Sequence, residues 1–283
     1  MMEDPDERLE YAAVHFWDVF SDTSAVFLCD SAHIGGLPAD EVEEQVGRFS
    51  RLLEGLPAPV ARRAVSAAFD RFEACRLRDT ASNVFSRMTD HLSHYLYDPN
   101  SPVRNEDAWL PYVQKLSTSP LVPPERQAGY EWEARLCALN PVGSRAADFR
   151  FIDLRGRRHT LYGVQAPLTL LFFSNPGCPS CREIVETLTG DQLVEMLTAS
   201  ETMAVVNVYI DQEYDKWAEY ARTYPPEWIS GYDPDYVIRT DLTYNVRAIP
   251  SLYLLDAEKT VLLKDAPVER VLGRLHAMWT PAS

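Results

Sequence analysis

Between residues 168 and 185 an apolar run ends, two cysteines follow in quick succession, and an amphipathic run begins. Leu168-Thr169-Leu170-Leu171-Phe172-Phe173 has the length and composition of a buried strand. Cys178-Pro179-Ser180-Cys181 comes next, and Arg182-Glu183-Ile184-Val185 opens a helical pattern. A strand that ends in such a pair and opens a helix belongs in an α/β layer. The order also has chemical content. A helix N-terminus carries unpaired N–H groups and a partial positive charge. Both favour thiolate over thiol, so Cys178 is the expected nucleophile. Cys181 lies one helical turn on, within reach of a disulfide with Cys178, which is the minimal apparatus for thiol–disulfide exchange.

The surrounding chain divides in two. At 283 residues two domains are the better expectation. Leu9, Ala12, Ala13, Phe16, Trp17 and Phe20 make one apolar stripe at helical spacing. Val42, Val46, Phe49, Leu53 and Leu56 make a second, closed by Pro57-Ala58-Pro59. Further helices are expected over 60–78, around Val84–Tyr95, 107–116 and 125–139, with no strand before residue 145. Residues 1–139 therefore read as an all-helical domain.

From 140 to 283 the pattern changes. Asp148–Leu154 alternates with period two and pairs back through Arg155-Gly156-Arg157 onto His159–Tyr162. After the 168–173 strand, the helix opened at Cys178 is expected to run to about Ala199. A strand over 202–210, a helix over 211–223, strands at 251–255 and 260–263 and a helix over 267–279 follow. This is a mixed sheet flanked by helices.

The net charge of −15 argues against nucleic acid and anionic membranes as partners. No stretch approaches the ~20 apolar residues of a membrane span. Residues 1–10 are acidic and polar, unlike a secretory signal, and a processed exported chain would lack one as well. Of the five cysteines only Cys178 and Cys181 are close in sequence; Cys29, Cys75 and Cys137 read as small buried hydrophobes. A zinc site would need four ligands, and neither a second such cysteine pair nor a nearby histidine pair supplies them. His91 and His94 are spaced to share a helix face, but only Asp90 is near and it faces elsewhere, so they read as helix surface. The aromatic-rich stretch from Tyr214 to Tyr236 reads as core packing rather than a peptide-binding surface. No metal and no cofactor are expected.

Two motifs carry a resemblance. The first is the strand–Cys178-Pro179-Ser180-Cys181–helix order; the second is Tyr244-Asn245-Val246-Arg247-Ala248-Ile249-Pro250-Ser251-Leu252-Tyr253-Leu254. Together they make residues 143–283 resemble a thioredoxin-fold thiol–disulfide oxidoreductase of the TlpA/ResA-like kind. The resemblance implies a cis Ile249–Pro250 bond, with Ala248 and Ile249 contacting the backbone of an extended substrate. Gly177, Pro179 and Pro250 would complete the substrate site around the catalytic Cys178 and Cys181. It implies reduction or reshuffling of disulfides in exported proteins, recharged by a membrane electron donor, in the periplasm or cell envelope. The segment Tyr95–Glu106 resembles an uncharacterised helical domain of envelope proteins from Gram-negative anaerobes, which implies export, with a lipid anchor outside this chain, and no activity of its own.

Departures qualify the resemblance. Gly177 stands where thioredoxins commonly carry Trp, and Phe172 where they carry a buried Asp, leaving Cys181 without an evident general base. Glu183 is close, but reads equally as a solvated charge in the first helical turn. Pro179-Ser180 replaces the usual Gly-Pro. Two rival readings remain at this level. One is a partner- or ligand-binding envelope protein using a thioredoxin-like scaffold without catalysis. The other is a thiol peroxidase, which would need a threonine that the segment before Cys178 lacks.

Overall fold

The computed structural model describes residues 4–21 and 29–279. The chain forms two compact units, divided between Ala138 and Leu139.

The first unit is built from α1 (Pro5–Val14), α2 (Ala39–Glu54), α3 (Ala58–Arg78), α4 (Val84–Leu92), α5 (Glu106–Leu116) and α6 (Pro124–Cys137). Their inward stripes meet in one core that includes Phe49, Phe69, Phe72, Trp109 and Tyr112. α1 is shorter than its apolar spacing suggests. It ends at Val14, and Trp17 and Phe20 reach the core through a turn and a 3₁₀ segment, Asp18–Ser21. Leu9 is left exposed. The physical reason is local: His15 Nδ1 bonds the Asp18 carboxylate at 2.8 Å, and that carboxylate also holds the Arg71 guanidinium of α3, so the chain bends where a straight helix would continue. A two-residue hairpin, β1 (His33–Ile34) with β2 (Leu37–Pro38), lies where only a turn was expected. Gly35 and Gly36 both adopt positive φ there, and a Cβ on Gly35 would collide with Val84 and Phe20. α4 passes into a π turn at Ser93–Tyr97 before the proline-rich loop.

The second unit holds β3 (Arg150–Asp153), β4 (Arg158–Thr160), β5 (Leu168–Phe173), α7 (Pro179–Gly190), α8 (Gln192–Ala199) and β6 (Met203–Tyr209). It continues with α9 (Tyr214–Tyr220), β7 (Ile229–Tyr232), α10 (Val237–Thr240), β8 (Ser251–Leu255), β9 (Val261–Leu263) and α11 (Val268–Trp279). The strands form one mixed sheet in the order β4-β3-β7-β6-β5-β8-β9. β5, β6 and β7 are parallel, and β8 runs antiparallel to β5. Successive side chains of a strand point to opposite faces. Leu168, Leu170 and Phe172 accordingly pack beneath α7, α8 and α11, while Leu171 and Phe173 pack on the other face with Phe149, Tyr244 and Tyr253.

Two features depart from the expected order. β7 was not expected, because Ile-Ser-Gly-Tyr is short and glycine weakens a strand. Gly231 is required there: a Cβ would come within 2.6 Å of the Phe151 ring on the neighbouring strand. The helix from Cys178 does not run unbroken to Ala199. Asp191 is extended, and its carboxylate caps α8 by accepting from the N–H groups of Leu193 and Val194 at 2.9 and 3.1 Å.

Cys75 and Cys137 are buried, but Cys29 is only half-buried, against expectation. Among the described residues no helix is long and apolar enough to cross a membrane.

Candidate active site

Cys178 is the N-cap of α7, with Pro179 in the first helical turn. The turn that delivers it is closed by the Cys178 N–H donating to the Asn175 carbonyl, and Gly177 takes φ +71°, which a β-carbon would disfavour. Cys178 Sγ accepts a hydrogen bond from the Cys181 N–H at 3.2 Å, so one of the orphan donors of the helix start is directed at the sulfur. Cys178 is half-buried, Pro179 and Ser180 are exposed, and Cys181 is fully buried. Both thiols are free.

The two sulfurs therefore sit in different environments. Burial pushes the Cys181 thiol up from its ordinary value and its hydrogen bond with Cys178 adds to the rise, opposed by the Asn175 backbone N–H. A buried thiol held neutral is a poor first nucleophile, which leaves first attack to Cys178.

β8 brings the second motif alongside. Ser251 pairs with Phe173 at the end of β5, so Pro250 stands opposite the segment that leads into Cys178. The Ile249–Pro250 bond is cis. Ile249 packs against the apolar clusters on both sheet faces, and Cys178 packs against the one that contains Cys181. Ala248, Ile249 and Pro250 are half-buried and Gly177 is exposed, so all four reach the surface at this end of the sheet. A buried ion pair that the sequence did not reveal anchors the loop: Arg247 donates to Asp265 at 2.6 Å, and Ser251 Oγ donates to the other carboxylate oxygen at 2.8 Å.

Phe172 is fully buried and forms an edge contact with Trp228. Glu183 is exposed. Neither supplies a base to Cys181. Beside them, however, lie polar groups the sequence reading missed. Asn207 Nδ2 donates to Ser174 Oγ at 2.8 Å, and Ser174 Oγ lies 3.0 Å from the Tyr224 hydroxyl; all three residues are buried. The aromatic stretch is core in large part, as expected: Trp217, Tyr224 and Trp228 are buried, with Tyr224 and Trp228 stacked. His91 is half-buried and His94 exposed, the latter 3.5 Å from Asp98. Among the described residues no three His, Cys, Asp or Glu side chains converge as a metal site would require.

A mixed sheet whose central strand feeds a cysteine pair at a helix start, with an Ile–cis-Pro turn opening the adjacent strand, is the architecture of a thioredoxin-like domain. Comparison with known families agrees. Residues 167–261 match the family described as thioredoxin-like, and residues 1–137 match a domain of unknown function (DUF5106). A crystal structure of a thioredoxin-like protein from Bacteroides caccae is 32% identical, covering 98% of this chain and 95% of its own, with a TM-score of 0.78. This chain belongs to that family of thioredoxin-like proteins, and its likeness to the Bacteroides caccae protein runs through both units. The C-terminal domain of an uncharacterized protein from Bacteroides fragilis is 41% identical over 48% of this chain and 97% of its own, with a TM-score of 0.47. The thioredoxin domain of a thiol-disulfide oxidoreductase from Bacteroides vulgatus is 18% identical over 49% of this chain and 98% of its own, with a TM-score of 0.44. No curated protein matches the sequence.

Proposed function

We propose that the protein is a thiol–disulfide oxidoreductase of the TlpA/ResA-like kind, acting on disulfides of exported proteins in the cell envelope and recharged by a membrane electron donor. The observation that carries this reading is the asymmetry of the cysteine pair. Cys178 is accessible and receives a helix-start N–H, while Cys181 is buried one turn behind it. Cys178 Sγ attacks a substrate disulfide and forms a mixed disulfide, expelling one substrate thiolate. Cys181 Sγ then attacks Cys178 Sγ, the second substrate thiolate leaves, and the 178–181 pair ends oxidised. Ala248, Ile249 and Pro250, with Gly177 and Pro179, form the rim against which an extended substrate lies, its backbone pairing at the open end of β8.

Replacing the resolving thiol tests this directly. The variant Cys181→Ser should accumulate mixed disulfides through Cys178, visible as adducts reversed by dithiothreitol, and the intact protein should reduce insulin. If neither is seen, the pair is not a redox centre.

A further inference from the structure

The turn that presents Cys178 is tied to the rest of the sheet unit through one side chain. Asn175 accepts from the Cys178 N–H on its carbonyl at 3.3 Å, which closes the turn between β5 and α7. Its side-chain Nδ2 donates to Asp211 Oδ2 at 2.8 Å. The other oxygen of that carboxylate, Oδ1, lies 2.8 Å from Arg239 Nε. Asp211 stands two residues past the end of β6, and Arg239 lies in α10. Every link from Arg239 to Cys178 is therefore a direct polar contact. Of residues 175–178, only Asn175 makes a described side-chain hydrogen bond to a distant segment. Pro176 has no N–H to give, and Gly177, at φ +71°, is a residue type with little to restrict its rotation. A carboxylate can only accept, so the Asn175 amide must turn its NH2 toward Asp211. Asn175 Oδ1 is thereby left buried and without a partner among the described residues. Buried polar atoms are nearly always bonded, and a bare one is a cost that another interaction outweighs. Here that interaction is the charge-assisted bond to Asp211.

We propose that Asn175 and Asp211 are positioning residues for the nucleophile. The Asp211 carboxylate, backed by Arg239, fixes the Asn175 side chain, and Asn175 fixes the turn that sets Cys178 Sγ in front of the Cys181 N–H. The inference rests on the redox reading above and deepens it, because it names what holds the attacking sulfur. In the first step Cys178 Sγ, its proton already lost to solvent, attacks one sulfur of a substrate disulfide. One S–S bond forms, the substrate S–S bond breaks, and its electron pair leaves with the departing thiolate. Before attack the sulfur accepts from the Cys181 N–H at 3.2 Å. A turn free to move carries Sγ out of that bond, and the population poised to attack falls. Small displacements of a reacting atom cost large factors in rate. The brace acts on Cys178 through Asn175 alone, so Asn175 and Asp211 form one unit: removing either should have the same effect as removing both.

A double-mutant cycle tests this. Full-length protein carrying Cys29→Ser and Cys181→Ser keeps Cys178 as its accessible thiol, since Cys75 and Cys137 are buried. Its reaction with dithiodipyridine in a stopped-flow instrument releases one pyridinethione as Cys178 attacks. Asn175→Ala and Asp211→Ala should each slow that release about tenfold. The double variant should also be about tenfold slower, where independent effects would multiply to about a hundredfold. Asp211→Asn keeps an oxygen for the Asn175 amide and should recover most of the rate lost in Asp211→Ala, a rescue that general loosening of the fold would not give. Urea unfolding shows which variants are folded. Asn175→Ser, too short to reach Asp211, replaces Asn175→Ala if the latter is not, with the same expected slowing. Single variants that react at the parent rate overturn the proposal. So does a double variant whose loss is the product of the two, or an Asp211→Asn variant as slow as Asp211→Ala. Each of these leaves the redox reading standing. That reading fails on a separate result: reduced protein with both Cys178 and Cys181 that releases one pyridinethione and never a second.

Discussion

On one face of the sheet Leu171, Phe173, Val206, Val208 and Tyr253 pack with Phe149, Phe151 and Tyr244, and the buried Tyr244 hydroxyl is satisfied by the Ala147 carbonyl at 2.6 Å. On the other, Leu168, Leu170, Phe172 and Val205 share their layer with Cys181, Ser174, Asn207 and Ser230. The same strands build both faces, alternate residue by alternate residue. The difference teaches where this fold tolerates buried polarity. A buried polar group costs free energy unless it is bonded, and on the first face the buried Thr169 hydroxyl accepts from the buried Lys259 ammonium at 2.9 Å. The second face leaves two such groups, Ser230 Oγ and Trp217 Nε1, without a partner among the described residues, and it is the face that holds the resolving thiol.

The contrast can be broken by substitution, beginning with the largest expected effect. Phe173 is fully buried, with ring centroids 5.3 Å from Tyr244 and 6.0 Å from Tyr253. Phe173→Ala should cost about 3–5 kcal/mol in urea unfolding. A loss under about 1 kcal/mol would mean that the apolar face is not the stabilising one.

A smaller effect belongs to Asp153, at the edge of the sheet beside an open cavity. Burial alone would raise its carboxyl. Hydrogen bonds from His159, from the Arg157 N–H and guanidinium and from the Arg155 N–H outweigh that and hold it well below the usual carboxylate range. A group depressed on folding stabilises above its unfolded value, about 3.9, and loses that contribution as pH falls through the folded one. Stability should therefore drop on acidification below about pH 4, and Asp153→Asn should flatten that limb of the curve. An acid limb of equal steepness in the variant would assign the loss to other groups.

The smallest effect has the opposite sign. Ser230→Ala removes a buried oxygen that no described group bonds, and it should leave stability unchanged or raise it by up to about 1 kcal/mol. A clear destabilisation would show that this hydroxyl is firmly held, and the two faces would then differ less than argued above.

What the sequence disclosed follows from the range of the interactions involved. The 168–173 strand and the helix start at Cys178 are local signals, written in nearly consecutive residues, and they were legible. So was the mixed sheet flanked by helices. β7 was hidden because Gly231 answers to the Phe151 ring of another strand rather than to its own neighbours. The bend after α1 was hidden because Asp18 is held by Arg71, 53 residues away. The Ser174 network was hidden for the same reason: its partners stand 33 and 50 residues away, and although Tyr224 was read as core, nothing local joins it or Asn207 to Ser174. The break at Asp191 was the one miss with a visible signal, since Gly190-Asp191 is a helix stop followed by a cap.

The three buried cysteines give the molecule an unplanned instrument. Cys75 and Cys137 are sealed in the helical unit, with Cys75 Sγ donating to the Phe20 carbonyl at 3.0 Å, whereas Cys181 is buried on the inward side of α7 in the sheet unit. Thiol labelling during denaturation therefore timestamps each half separately: one chain carries its own pair of clocks, read by mass spectrometry from which peptide acquires the label first.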